Sequence, residues 1–175
     1  QGEFRYEQRA IPPLDHPALM QLLDCGFNCN NAHLSGAGGT GDPTELALRI
    51  SGVKAGLVVD GMQRLAEVPF DSSAKYMAVL VESGDKRLIL AKGAPEVIVQ
   101  MCTTEPDAAG HLRAFDPDTA LQTARLFARD ALRTLGFAVR ELPRDHCDLC
   151  HEDLQDMCFV GLQGMIDPPK HSAIG

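Results

Sequence analysis

Tryptophan is absent from this chain, and tyrosine occurs only twice and phenylalanine seven times. A core of stacked rings is thereby excluded, and the interior must be assembled from Leu, Val, Ile, Ala and Met. Long apolar runs are lacking too. The longest, Tyr76 to Val81, falls far short of the roughly 18 residues that a membrane-spanning helix needs. No basic-then-apolar leader opens the chain. The expectation is a soluble piece that does not itself insert into a membrane, and the ends at Gln1-Gly2 and Ile174-Gly175 suggest a domain excised from a longer protein. Positive charge is in deficit, with 16 Lys+Arg against 24 Asp+Glu and a formal net charge of −8. General nucleic-acid binding is excluded, because it relies on clustered Lys and Arg neutralising phosphates. One small anion in a local basic pocket remains allowed. The six cysteines, Cys25, Cys29, Cys102, Cys147, Cys150 and Cys158, are too sparse for a disulfide scaffold and read as reduced thiols.

What is present is globular: 175 residues, 45% hydrophobic and 23% charged, suit a single domain with a sizeable core. Glu3 to Glu7 alternates as a short strand, and Pro12-Pro13 breaks it. A helix opens at Asp15-His16-Pro17, where proline is tolerated in the first turn, and its apolar spacing runs to about Leu34. A glycine-rich loop, Ser35 to Gly41, follows. Asp42-Pro43 caps a second helix carrying Leu46, Ala47, Ile50 and Val53. Strands are predicted over Arg64–Phe70, Tyr76–Glu82 and Arg87–Lys92, the last two joined by a hairpin at Ser83-Gly84-Asp85-Lys86. A short helix from Ala94-Pro95-Glu96 to about Cys102, a loop over 103–114 and a long helix over Thr119–Thr134, capped by Asp116, come next. Phe137–Leu142 and Phe159–Ile166 complete the strands. Strands that occur consecutively as well as between helices predict an α+β fold with an antiparallel sheet.

Two local patterns carry chemistry. In Lys92-Gly93-Ala94-Pro95-Glu96 a lysine ends a strand, a glycine lets a ligand near the backbone, and a helix begins. Free N–H groups and the positive dipole end there suit an anionic or electron-rich ligand, yet a plain strand-to-helix turn with a solvated lysine fits the spacing better. Phe70 ends a strand before Asp71-Ser72-Ser73, with Lys75 five positions on. A ring in that place is either core or a stacking platform for a base, with the lysine meeting phosphate.

Five motifs in order then point to a family. Gly41-Asp42-Pro43-Thr44-Glu45, Val68-Pro69-Phe70-Asp71-Ser72 with Lys75 and Met77, Lys92 to Glu96, Asp130 to Leu135, and Gly161 to Pro169 resemble the nucleotide-binding domain of cation-transporting P-type ATPases, in the calcium-pump and sodium-pump branch. The helix ending Cys29-Asn30-Asn31-Ala32 is similar as well. The resemblance implies one domain over 1–175, a twisted antiparallel sheet flanked by helices, inserted in the phosphorylation domain of a pump. It also implies that 167–175, with Asp167-Pro168-Pro169, begins the hinge back to that domain. It implies ATP as ligand, with magnesium, and the phosphorylation and actuator domains as partners, in the cytoplasmic part of an integral membrane protein.

By the same resemblance Phe70 stacks on adenine, Glu45 accepts from its amino group, Lys92 lines the base pocket and Gly93 lets the base approach. Lys75 lies beside the nucleotide, Arg133 reaches the phosphates, and Asp42 is an accessory to the site or simply a cap. The basic residue that commonly precedes the lysine is here Ala74, which implies weaker phosphate affinity. The motifs of the phosphorylated aspartate, of dephosphorylation and of magnesium binding are absent from the chain. The fragment is therefore expected to bind ATP without turning it over, while the whole pump would pass the γ-phosphate to an aspartate.

Two other readings stand beside this one. His146-Cys147-Asp148-Leu149-Cys150-His151 packs a C-x-x-C between histidines, a zinc half-site or a redox element, although four ligands within six residues are cramped for a tetrahedron. A metal-sensing or redox module would use it. Cys25, Cys29 and His33, at helical spacing, read as packing positions. Alternatively, the nucleotide site is degenerate and kept only for coupling between domains.

Overall fold

The computed structural model describes residues 3–36, 38–58 and 62–166. In chain order the elements are β1 (Arg5–Tyr6), β2 (Arg9–Ala10), α1 (Pro17–Asn28), β3 (His33–Ser35), β4 (Gly38–Thr40), α2 (Pro43–Lys54), β5 (Gln63–Asp71), β6 (Tyr76–Ser83), β7 (Lys86–Gly93), α3 (Pro95–Ile98), β8 (Cys102–Pro106), β9 (Leu112–Ala114), α4 (Pro117–Arg129), β10 (Leu132–Leu142) and β11 (Met157–Ile166). A seven-stranded sheet runs β5-β6-β7-β10-β11-β8-β9. Its neighbours are antiparallel except β8 and β11, which pair in parallel. The α+β fold therefore matches expectation, with that one parallel step.

Strand alternation splits the core into two layers. Along β6, Met77, Val79 and Val81 join one buried cluster with Leu90 and Phe137, while Tyr76, Ala78 and Leu80 join another with Ile89 and Ala91. Because successive side chains point to opposite faces, the central strands are apolar on both. One face is covered by α1 and α2, through Cys25, Cys29 and Leu48. The other is covered by α3, α4 and the connection before β11, through Ile98, Ala120, Leu149 and Leu154.

Several boundaries differ from the sequence reading. The first helix ends at Asn28 rather than near Leu34. The glycine-rich stretch is not a plain loop, since β3 and β4 pair there from His33↔Thr40 to Ser35↔Gly38. Residues 103–114 hold β8 and β9, short strands with partly exposed or exposed side chains. The helix expected to reach Thr134 stops at Arg129, because Ala131 takes φ +56° and Leu132 already pairs with Ile166. The expected hinge at 167–175 lies outside the described residues. Among the described residues no helix is long and apolar enough to cross a membrane.

Candidate functional site

At the end of the sheet where β5 and β7 finish and β6 and β10 begin, a cavity of about 320 Å³ opens on the face covered by α1 and α2. Met77 and Leu135 supply apolar surface, with Asn31, Asp42, Thr44, Glu45, Phe70, Lys92, Gly93 and Arg133 around them. Four separate parts of the sequence thus meet in one place.

The first turn of α2 delivers Glu45. Gly41 has φ +128°, and a Cβ there would lie 2.9 Å from Ala32 Cα, so only glycine lets the chain turn this close to α1's end. Asp42 then caps the helix, its Oδ1 accepting from the N–H of Thr44 at 2.8 Å and of Glu45 at 3.4 Å. Glu45 Oε1 accepts from Lys92 Nζ at 2.6 Å, and Oε2 accepts from the Asn31 N–H at 3.3 Å. The Lys92 and Glu45 side chains are only 8% and 18% exposed. Lys92 is therefore not the solvated turn lysine that its spacing favours, and such a pair in reduced dielectric holds its geometry firmly.

Phe70 is 63% exposed, an unpacked ring beside a cavity. The register between β5 and β6 shifts between Val68 and Asp71, which takes Phe70 out of the ladder. Asp71 Oδ1 accepts from the N–H groups of Ser73 at 2.8 Å and Ala74 at 2.9 Å, and from the Ser73 hydroxyl. Those hydrogen bonds, the hydroxyl's first, hold the Asp71 carboxyl below its usual range and fix the turn that presents the ring.

Gly93 is required by the sheet itself. A Cβ there would come within 2.4 Å of the Lys75 carbonyl oxygen and 2.7 Å of Tyr76 Cβ. On β10, Arg133 donates from Nη1 to Thr44 Oγ1 at 3.4 Å, bridging to the start of α2. Of the residues singled out from the sequence, Asp42, Glu45, Phe70, Lys92, Gly93 and Arg133 line one cavity. Lys75 does not line it; its Nζ meets Glu96 Oε1 at 3.5 Å on the surface. Sequence reasoning missed Asn31, Thr44, Met77 and Leu135 as lining residues. Thr44, Met77 and Leu135 stand within the quoted motifs, and the asparagine pair after α1 was the available signal for Asn31.

The 146–151 segment goes elsewhere. His146 Nε2 faces Asp153 Oδ2 at 3.4 Å, and His151 Nδ1 meets the Tyr76 hydroxyl. Cys147 Sγ accepts from Arg87 Nη1 at 3.4 Å, and Cys150 caps a short turn with Asp153. Among the described residues no three His, Cys, Asp or Glu side chains converge on a metal position. Cys25 and Cys29 are buried against backbone carbonyls, while His33 is exposed on β3.

Fold and cavity together define an α+β domain with a concave site at one end of its sheet. The family follows from comparison with known sequences: the profile of the P-type ATPase cytoplasmic domain N matches residues 18–172, and the chain belongs to that family. It is 36% identical over 167 residues to the cation-transporting ATPase pma1 of Synechocystis, covering 90% of this chain and 18% of that protein. It is 34% identical over 181 residues to the calcium-transporting ATPase of Bacillus subtilis, covering 97% of this chain and 20% of the relative. Calcium-transporting ATPase 1 of Bacillus cereus is 33% identical over 171 residues, which cover 94% of this chain and 19% of that protein. The chain thus spans about a fifth of the length of these relatives.

Proposed function

We propose that this chain binds ATP as the nucleotide-binding domain of a cation-transporting P-type ATPase. The observation that carries the reading is the cavity itself, which brings an exposed ring, a largely buried Lys–Glu pair and an arginine together from distant parts of the sequence. Adenine stacks on Phe70, and its exocyclic amino group donates to Glu45, whose carboxylate keeps unused lone pairs after Lys92 and Asn31 are served. Guanine presents an acceptor at the equivalent position. It would set a carbonyl oxygen against the Glu45 carboxylate, two acceptors with no proton between them, so the site is adenine-selective. Arg133 reaches the phosphates with a planar fork. Lys75 joins them by leaving Glu96, at little cost because an exposed ion pair is worth about 0–1 kcal/mol. Asp42 lines the same cavity, and magnesium carried in with the nucleotide would supply positive charge against the phosphates.

In the whole protein this domain hands the γ-phosphate to an aspartate of the neighbouring phosphorylation domain, with the actuator domain as a further partner, on the cytoplasmic side of a membrane pump. The chain alone binds without turning over. The test is ATP affinity of the Phe70→Ala variant. Its loss should amount to about 1–3 kcal/mol, the worth of one stacked base, with folding intact because the ring is exposed. Unchanged affinity would instead indicate that the ring is not the base platform.

A further inference from the structure

Two asparagines follow α1, and each holds a different part of the next helix. Asn30 is 1% exposed. Its Nδ2 donates to the carbonyls of Gly26 at 3.1 Å and Glu45 at 2.8 Å, and its Oδ1 accepts from Ala32 N–H at 2.8 Å. The end of α1 is thereby tied to the backbone of Glu45. Asn31 lies at the cavity wall, its backbone N–H on Glu45 Oε2 at 3.3 Å. Its side chain is gripped at both ends, Oδ1 accepting from Arg64 Nη1 at 2.5 Å and Nδ2 donating to Glu67 Oε1 at 2.9 Å. A guanidinium only donates and an ionised carboxylate only accepts, so this amide has one orientation.

Arg64, on β5, does not line the cavity. Its Nη1 also donates to Glu67 Oε2 at 3.1 Å, and its Nη2 donates to the carbonyls of Asn28 at 3.0 Å and Asn30 at 2.7 Å. The Asn30 carbonyl belongs to the same peptide group as the Asn31 N–H. Since that group is planar, holding its oxygen aims its N–H. Arg64 therefore sets the donor that meets one Glu45 oxygen while Lys92 holds the other.

We propose that Arg64 is a positioning residue for base selection, acting through the Asn30–Asn31 peptide to orient the Glu45 carboxylate toward an exocyclic amino group of the bound base. The proposal rests on the reading of Glu45 as the acceptor of adenine's amino group. Glu67 supports it by clamping both Arg64 and Asn31. Lysine at position 64 keeps the charge but lacks the fork that spans the Asn28 and Asn30 carbonyls and the Asn31 amide.

The experiment compares affinities for ATP and inosine triphosphate, which carries a carbonyl where adenine has its amino group, in the wild-type 175-residue chain and in R64K and E67Q. Thermal unfolding checks that each variant is folded. R64K should lose between about threefold and tenfold in ATP affinity, the range of one net hydrogen bond, with inosine triphosphate affinity unchanged. E67Q should show the same selective loss, smaller in size. Equal losses for both nucleotides, or a preference for ATP kept intact in both variants, would overturn the role of Arg64 alone. A wild-type chain that fails to separate the two nucleotides would remove the reading of Glu45, and this proposal with it.

Discussion

Lys92 and Glu45 share a 2.6 Å hydrogen bond with little solvent around either group. Replacing Lys92 by Met would keep the length of the side chain and strand Glu45 without its cation. Breaking a fully buried pair costs about 3–5 kcal/mol, and the residual exposure of Glu45 lowers the expected loss to about 2–3 kcal/mol, read as a shift in urea midpoint. An unshifted midpoint would mean that the pair is structurally idle. The cysteines offer a second check at this scale. Burial pushes the Cys25 thiol well above its ordinary range, Cys29 up to about 11 and Cys102 up to about 12. Each stays protonated until the pH approaches its raised pKa, and alkylation requires the thiolate. Mass spectrometry after native alkylation at pH 8 should find Cys147, which is exposed, modified and Cys25, Cys29 and Cys102 spared. Labelling of Cys25 at the rate of Cys147 would contradict the packing described for α1. The burial of Lys92 could not be seen locally in the sequence, since the partner that covers it lies 47 positions away.

At the scale of elements, α2 matters most, because its first turn carries Glu45 into the cavity. Asp42→Ala removes the acceptor for two N–H groups of that turn. A loss of about 1 kcal/mol in stability is expected, together with weaker ATP binding as Glu45 loses its fixed start. ATP affinity unchanged despite the lost stability would detach the cap from the site. Strands β5, β6 and β7 were legible within one residue at either end, since their apolar runs and the hairpin signal between β6 and β7 are local. The end of α4 was not, because Leu132 and Leu135 fit helical spacing as readily as a strand, and Ala131 adopts a left-handed conformation without the glycine that usually announces it. β8 was missed for another reason: it carries little apolar alternation, and its pairing with β9 and β11 comes from tertiary structure. Among the site residues, Asp42, Glu45, Phe70, Lys92, Gly93 and Arg133 were named from motifs and line the cavity. Arg64 and Asn30 were given no role in the site, since their work is done on backbone carbonyls whose positions come from the fold.

For the whole molecule, the sheet buries both of its faces and leaves the cavity at one end, beside the seam between the α1–α2 pair and the strand termini. The net charge of −8 disfavours polyanions in general, while the cavity itself balances Asp42 and Glu45 against Lys92 and Arg133. The chain spans about a fifth of the length of its relatives, and the role proposed for it within a whole protein is nucleotide recognition. Recognition is thus the central claim, and it can be measured on this chain alone. Backbone amide shifts are followed by heteronuclear NMR while ATP, and separately GTP, is titrated to several millimolar, because a binding energy near −4 kcal/mol corresponds to a dissociation constant of about 1 mM. Recognition at this cavity requires saturable ATP shifts centred on Phe70, Lys92, Gly93 and the first turn of α2, with GTP much weaker. No perturbation at those amides, or ATP shifts centred on another surface, would contradict it.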